Sequence, residues 1–410
     1  MQRPNAIVVA RVEKSGVSGW RATVSASCAS LVGIGLARFA YTPILPAIIG
    51  AHWFSPSAAA YLGAANLAGY LAGALLGRPL ATRVPAPMLL RALMLLATAA
   101  FFACAVPVSL QWFFIWRLLS GISGGALMVL AAPIVLPHVS HRRRGVASGI
   151  IFAGVGLGIA ASGTLVPLLL RQGLTEVWCG LGVLSLFLTL AAWSGWPAEG
   201  AALQPAPERH LERRSALHLR ALYVAYALNA AGLVPHMLFL VDFVARGLGQ
   251  GLDGGAQYWV LFGLGAVVGP VLSGHLADRT GFGRALRLAL VVQAVAVVLP
   301  VLGMGAAMGT AGLIVSSLVV GAFTPGIVPL VLGRVHELLP RDAAAQQASW
   351  STATTGFALM QAAAAYGMTF VFTKSGGDYQ LLFILGAGAL ITALGIDLAA
   401  SVFPLRRRAA

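Results

Sequence analysis

The chain has 410 residues, of which 59% are hydrophobic and 10% charged, with a mean hydropathy of +0.86 and a formal net charge of +15. Soluble domains carry roughly 25% charged residues, so these values exclude an ordinary soluble enzyme or binding module and point to a membrane protein. The three cysteines, Cys28, Cys104 and Cys179, are odd in number and lie in or beside apolar stretches, so no disulfide framework is expected.

A helix needs about 20 apolar residues to cross a bilayer. Twelve such stretches follow one another at 22–49, 57–77, 88–107, 111–137, 145–170, 177–196, 221–245, 257–277, 285–303, 308–333, 344–372 and 379–403. Their length argues for helices and against barrel strands, whose signal is alternation over about ten residues. The first stretch is too long for a cleavable leader and is expected to stay in the mature protein. It contains "GIGLARFAYTPILPAII" (Gly33–Ile49), which places Arg38 about 24 Å along the helix, near the bilayer middle. A charge at that depth costs at least ~2.5–3.5 kcal/mol, and arginine does not lose its proton. Arg38 therefore needs an internal partner or a bound anion. Tyr41 and Thr42 share its face at three and four residues' distance. Pro43 and Pro46 remove backbone donors, so the helix is expected to be irregular there, which is tolerated where it lines a cavity.

The fourth stretch holds the second intramembrane arginine, Arg117, and the spans of the first half contain no Asp or Glu. After the sixth span comes the longest polar segment, "PAEGAALQPAPERHLERRSALHLRA" (197–221), which reads as a linker between two sets of six spans. The expected organisation is a tail over 1–21, a first bundle over 22–196, a linker over 197–220, a second bundle over 221–403 and a basic tail over 404–410. In the seventh span His236 stands 198 positions after Arg38, beside Pro235, and is a candidate for substrate contact or proton coupling because imidazole titrates near neutrality. Asp242 is the other coupling candidate; its plainer role is an ion pair with Arg246 four residues on. Asp397 in the twelfth span reads as a packing or interfacial residue. Asn229 and Thr324 join Arg38, Tyr41, Thr42, Arg117 and His236 as candidate substrate contacts. Tyr226, Gln257, Tyr258, Trp259, Trp350, Thr354 and Gln361 are further polar or aromatic residues in spans among which periodicity does not choose.

Landmarks repeat between the halves. Pro133 and Pro137 correspond to Pro325 and Pro329 at an offset of 192, and Gly77 to Gly274 and Arg144 to Arg341 at an offset of 197. Such a repeat implies two similar six-helix bundles. With the N-terminus inside, 22 of the 27 basic residues fall on the cytoplasmic side. The positive-inside rule thus accounts for the basicity without nucleic acid, and both termini are expected in the cytoplasm of an inner-membrane protein.

The stretch "GHLADRTG" (Gly274–Gly281) resembles the Gly-x-x-x-Asp-Arg-x-Gly loop motif of the major facilitator superfamily (MFS), with Gly274, Asp278, Arg279 and Gly281 in register. The corresponding "GRPLATRVP" after the second span lacks the Asp and the second Gly. "RLLSGISGG" is similar to the Arg-x-x-x-Gly element of proton-coupled members through Arg117 and Gly121. "GIGLARFAYTPILPAI" and "SHRRRGVASGIIFAGVGLGIAASG" resemble the YbfB/YjiJ-type branch. The resemblance implies an all-α membrane protein, twelve transmembrane helices in two pseudo-symmetric six-helix bundles, working by alternating access. It implies that Gly274, Asp278, Arg279 and Gly281 form a gating loop, with Asp278 as a latch at a helix N-terminus.

Two intramembrane cations with scarce carboxylates favour a small organic anion as substrate. The competing expectations are a proton-coupled exporter of drugs or metabolites and, further off, a non-transporting sensor. The sequence carries no HExxH, Gly-x-Ser-x-Gly, Walker loop or Cys/His cluster, so no enzyme activity, metal or cofactor is expected. The expected partners are a small-molecule substrate, H+ as a coupling ion and the lipid bilayer, with a monomer as the working unit.

Overall fold

The computed structural model describes residues 18–197, 213–302, 309–340 and 342–402. The expected N-terminal tail up to residue 17, most of the linker (198–212), the repeat landmark Arg341 and the C-terminal tail lie outside the described residues, as does the side chain of Arg246. Twelve long helical segments follow in chain order. In the first half they are α1 (19–50), α2 (Pro56–Ala81), α3 (Ala86–Ala103), α4 (Leu110–Val135), α5 (Arg144–Leu170) and α6 (Leu174–Ala192). In the second half they are α7 (213–247), α8 (Gly251–Thr280), α9 (Phe282–Leu302), α10 (Gly309–Leu338), α11 (Ala343–Lys374) and α12 (Tyr379–Ser401). Eleven of them contain a window long and apolar enough to cross a membrane, and the 26-residue α2 completes the set. Large apolar side chains such as Phe187, Phe370 and Leu302 stand exposed around the outside, as expected of a protein whose surroundings are lipid.

Helix starts follow from side-chain chemistry. Ser55, Ser109, Asp342 and Asp378 accept hydrogen bonds from the backbone N–H three residues on, at 3.3, 3.1, 2.9 and 3.2 Å, which satisfies donors that an isolated helix end leaves orphaned. The helices that open each half share a rarer feature. α1 contains a π-helical turn at Leu31–Leu36, and α7 contains two, at Pro235–Phe239 and Phe243–Gly247.

Within each half, two helices touch backbone to backbone. A Cβ added to Gly73 of α2 would lie 2.0 Å from the carbonyl oxygen of Ile122 on α4, and one on Gly269 of α8 would lie 2.0 Å from that of Ala322 on α10. The positions are 196 residues apart and do the same work, so the two-bundle symmetry extends to the packing of individual helices. Small residues at such crossings are how helices associate in a medium where apolar surface gains nothing from leaving lipid. The halves meet chiefly along α5 and α8, with α2 against α11 on the other side of the seam. Ser351 of α11 donates to the carbonyl of Ala74 at 3.2 Å, and Trp350 donates to that of Met128 at 3.1 Å.

Overpacking typically costs ~1–3 kcal/mol, and at Gly73 or Gly269 the overlap is with main chain that cannot rotate away. Gly73→Leu and Gly269→Leu are each expected to lower the thermal unfolding midpoint of detergent-purified protein or to abolish its monodisperse elution. Wild-type profiles from both variants would refute the close approach.

Candidate functional site

α1 is irregular on both sides of its charge. The helix is interrupted at the turn residue Ala40, directly after Phe39, whose carbonyl Pro43 has no N–H to bond and crowds with its ring. The π turn Leu31–Leu36 is a second irregularity and lies too far before Pro43 to be its effect. Pro43 and Pro46 themselves sit inside the helical segment Tyr41–Gly50 that follows.

Arg38 projects from the short segment Ala37–Phe39 between these features. Its Nη2 donates to Oε1 of Gln361 on α11, and its Cζ stands 5.3 Å from the ring centroid of Phe39 and 5.2 Å from that of Tyr70 on α2. Gln361 in turn directs Nε2 to the sulfur of Met237 on α7 at 3.3 Å. The charge therefore stands at the seam between the halves and remains half-buried. Its neighbours are a neutral amide and two aromatic rings. Among the described residues no carboxylate comes within ion-pairing distance of it.

Arg117 is treated differently. It is 3% exposed, donates from Nη1 to the carbonyl of Ala37 at 2.8 Å, and stacks 4.3 Å from the ring centroid of Tyr41. The Tyr41 hydroxyl is occupied as well, donating to the carbonyl of Ala59 at 2.7 Å. Asn66 of α2 donates to the carbonyl of Arg117 itself at 3.2 Å. These groups tie α1, α2 and α4 together within the first half. Thr42 is exposed. Of the expected substrate contacts, Arg38 and Arg117 thus meet at the same short segment of α1, Arg38 projecting from it and Arg117 bonded to its Ala37 carbonyl.

The candidates of the second half do not join them. Asn229 is fully buried and donates to Oε1 of Gln293 on α9 at 2.7 Å. Thr324 bonds back to the carbonyl of Val320 in its own helix at 2.9 Å. His236 is fully buried in the π turn, with Nε2 2.7 Å from Oγ of Ser316 and its ring edge-on to Phe383. The Ser316 hydroxyl gives its hydrogen to the carbonyl of Ala296 at 2.6 Å. The imidazole must therefore donate through Nε2, and Nδ1 is left as a bare acceptor without a hydrogen-bond partner. Asp242 accepts from the Tyr379 hydroxyl at 2.6 Å. Asp397 pairs with Arg287 at 2.5 Å, which links α9 to α12.

The loop residues form a contact between the halves. Asp278, at the end of α8, accepts from the backbone N–H of Gly145 through Oδ1 and of Val146 through Oδ2, both at 3.0 Å. These are first-turn donors of α5, which has no side-chain cap of its own. The carboxylate thus caps a helix of the opposite bundle, where its charge also meets the positive end of the helix dipole. Gly274 lets the two helices approach, since a Cβ there would stand 2.1 Å from the carbonyl oxygen of Gly145. Gly281 ends α8 at φ +86, a conformation that suits glycine. Arg279 is exposed beside Trp20, Arg142, Arg143 and His275. Beside Asp278 a cavity of ≈830 Å³ opens between the halves, lined by Arg142, Arg144, Ser148, His336 and Gln347 among others.

Twelve apolar helices in two bundles, a seam crossed by the half-buried Arg38 and a carboxylate contact between the halves at one end define a secondary transporter of the major facilitator type. The family model described as "Uncharacterised MFS-type transporter YbfB" matches residues 30–398, and the chain belongs to that family. It is 25% identical over 319 residues to the inner membrane transport protein YdhP of Escherichia coli (strain K12), covering 74% of this chain and 77% of that one. Its fold is similar to that of the proton:xylose symporter XylE (TM-score 0.73, 13% identity, 93% of this chain and 95% of that chain). It is also similar to the human organic anion transporter MFSD10 (TM-score 0.71, 18% identity, 92% and 99%) and to a bacterial homologue of the iron transporter ferroportin (TM-score 0.67, 16% identity, 94% and 99%).

Sequence reasoning passed over Tyr70, Met237 and Phe357, and named Gln361 without choosing it. The signal was present on α11, where Trp350, Thr354, Phe357 and Gln361 recur at intervals of four, three and four on one helix face. The contrast between the two arginines is testable by stability alone. Each arginine makes a charged hydrogen bond, worth ~1.5–3 kcal/mol, but Arg117 is the more deeply buried and its loss also releases the Ala37 carbonyl and the Tyr41 ring. Arg117→Ala is therefore expected to lower the unfolding midpoint more than Arg38→Ala does. Equal losses from both variants would remove the distinction.

Proposed function

We propose that the protein carries a small organic anion across the inner membrane by alternating access, with Arg38 as the group that binds it. The observation behind this reading is the environment of Arg38. A permanent cation at the seam of two moving bundles is met by a neutral amide and aromatic faces, and so keeps its capacity for an anion. Arg117 acts one step back, holding the Ala37 carbonyl and Tyr41 so that the segment carrying Arg38 keeps its direction. Fold similarity does not choose the substrate, since similar folds belong to a proton:xylose symporter, a homologue of an iron transporter and an organic anion transporter.

The end of the bundle that bears Arg78, Arg83, Arg91 and Arg142–Arg144 faces the cytoplasm in this reading, in keeping with the positive-inside rule. The basic residues lining the ≈830 Å³ cavity then give an anion a favourable approach from that side. Asp278 holds this end together while it caps α5 and lets go as the halves rock. Proton coupling is a second reading, favoured by the bare Nδ1 of His236 at a fully buried position. Coupling through Asp242 would have to break or relay through its bond to Tyr379.

Two experiments follow. Purified protein screened by thermal shift against organic anions, cations and neutral metabolites is expected to respond to anions and to lose that response in Arg38→Ala. An unchanged response in that variant would reject Arg38 as the contact. Asp278→Asn keeps one acceptor but loses the charge at the helix end, worth ~0.3–1 kcal/mol. In proteoliposomes it is expected to change the maximal rate of transport several-fold with little change in KM; a change confined to KM would argue against the latch.

A further inference from the structure

On the reading that Arg38 takes an anion, we infer that the anion has a flat, aromatic body with a polar group at its far end, and that it enters by displacing the Gln361 side chain. Gln361 Oε1 occupies the position at the guanidinium that a substrate carboxylate would take. A carboxylate is the better acceptor, because it carries charge and can engage the guanidinium through both oxygens. The amide is thus a stand-in that closes the seam between α1 and α11 and yields to a stronger ligand.

The shape of that ligand is written on α11 below Gln361. Phe357, Thr354 and Trp350 continue the same face, all three buried. Tyr226 of α7 lies over this face, with its ring centroid 4.6 Å from that of Phe357 and stacked at 27° and 6.2 Å on Trp350. Tyr70, under Arg38, supplies a ring from the other half. The wall beside the cation is therefore made of rings from both bundles that lie buried against one another; once the Gln361 side chain yields and the seam opens, their faces favour flat unsaturated groups. Two polar atoms on this wall have no hydrogen-bond partner although fully buried or nearly so, the Tyr226 hydroxyl and Oγ1 of Thr354. Native structures rarely leave such groups unsatisfied, and each calls for an explanation. A ligand hydroxyl or carbonyl supplies one here. Thr354 lies seven residues from Gln361, roughly 10 Å along the helix axis, which sets the distance between the ligand's two polar ends. A hydroxylated arylpropenoate matches that length better than a benzoate, and a compact aliphatic di- or tricarboxylate matches neither the wall nor the spacing.

The test uses the full-length protein in detergent, with 4-hydroxycinnamate, benzoate, succinate and citrate as probes in thermal shift and equilibrium binding. The expected order is 4-hydroxycinnamate first, benzoate weaker and the aliphatic acids last, with all binding lost in Arg38→Ala. Phe357→Leu, a conservative change, is expected to reduce the preference for 4-hydroxycinnamate over succinate about tenfold. At position 361 the two substitutions should move in opposite directions. Gln361→Ala removes the competitor and tightens binding several-fold, whereas Gln361→Glu supplies a tethered carboxylate and weakens it by about tenfold or more. A purely structural role would weaken binding in both. Arg38-dependent binding that prefers succinate or citrate, or parallel losses in both position-361 variants, would overturn this inference while leaving Arg38 as the anion contact. Binding by any of the four probes that survives in Arg38→Ala, or no binding by any of them, would overturn both.

Discussion

Hydrocarbon offers no partner to a charge, so every guanidinium placed in a span must be answered by the protein or by what it carries. This chain places two at the same three-residue piece of α1. Arg117 is answered within its own half, by a main-chain carbonyl and an aromatic face, and the groups around it are themselves bonded into α2 and α4. Arg38 has the faces of Phe39 and Tyr70, but its hydrogen bond goes to an amide of the opposite bundle. The first arrangement ties one half together. The second joins the two halves.

A related economy governs the basic end of the molecule. α11 begins with its own cap, Asp342, and its neighbour in the first half needs to supply none; there the loop after α2 has Ala81 where the loop after α8 has Asp278. α5 lacks a cap and borrows one across the seam. The two loops thus occupy equivalent places in the fold and differ in chemistry, and only one of them ties the closing of the halves to the satisfaction of a helix end. Arg78 still reaches across to the carbonyl of Ala344, at 3.5 Å, but one long hydrogen bond to a carbonyl holds less firmly than a carboxylate on two N–H groups.

The global architecture was legible because it rests on composition. Twelve apolar runs, a polar interruption and a repeat offset near 197 are one-dimensional features, and lipid leaves few ways to fold them. The contact that Asp278 makes with a helix N-terminus was legible, since a carboxylate in a tight glycine-rich loop needs donors and a helix N-terminus has them. The site was half legible. Arg38 stood out by its cost, but its partner lies 323 residues away, and nothing local marks one glutamine among several polar residues in spans. Asn229 and Thr324 looked as available as Gln361 and are turned to α9 and to their own helix. Burial direction decides among such residues, and it depends on packing that no single stretch encodes. The prolines of α1 were a partial guide: Pro43 accounts for the interruption at Ala40, but the π turn Leu31–Leu36 lies beyond its reach and has no proline to mark it.

The π turns at the starts of the two halves have a geometric consequence. A π turn holds about one more residue than an α turn, so side chains beyond it are rotated by about 100° relative to an uninterrupted helix. In α1 the π turn falls between Ser27, which donates to the carbonyl of Ile150 on α5, and the residue that carries the charge. The helix before the turn thus faces its own bundle, while Arg38 just after it reaches the partner across the seam. An extra residue in the helix sets the direction in which the cation points.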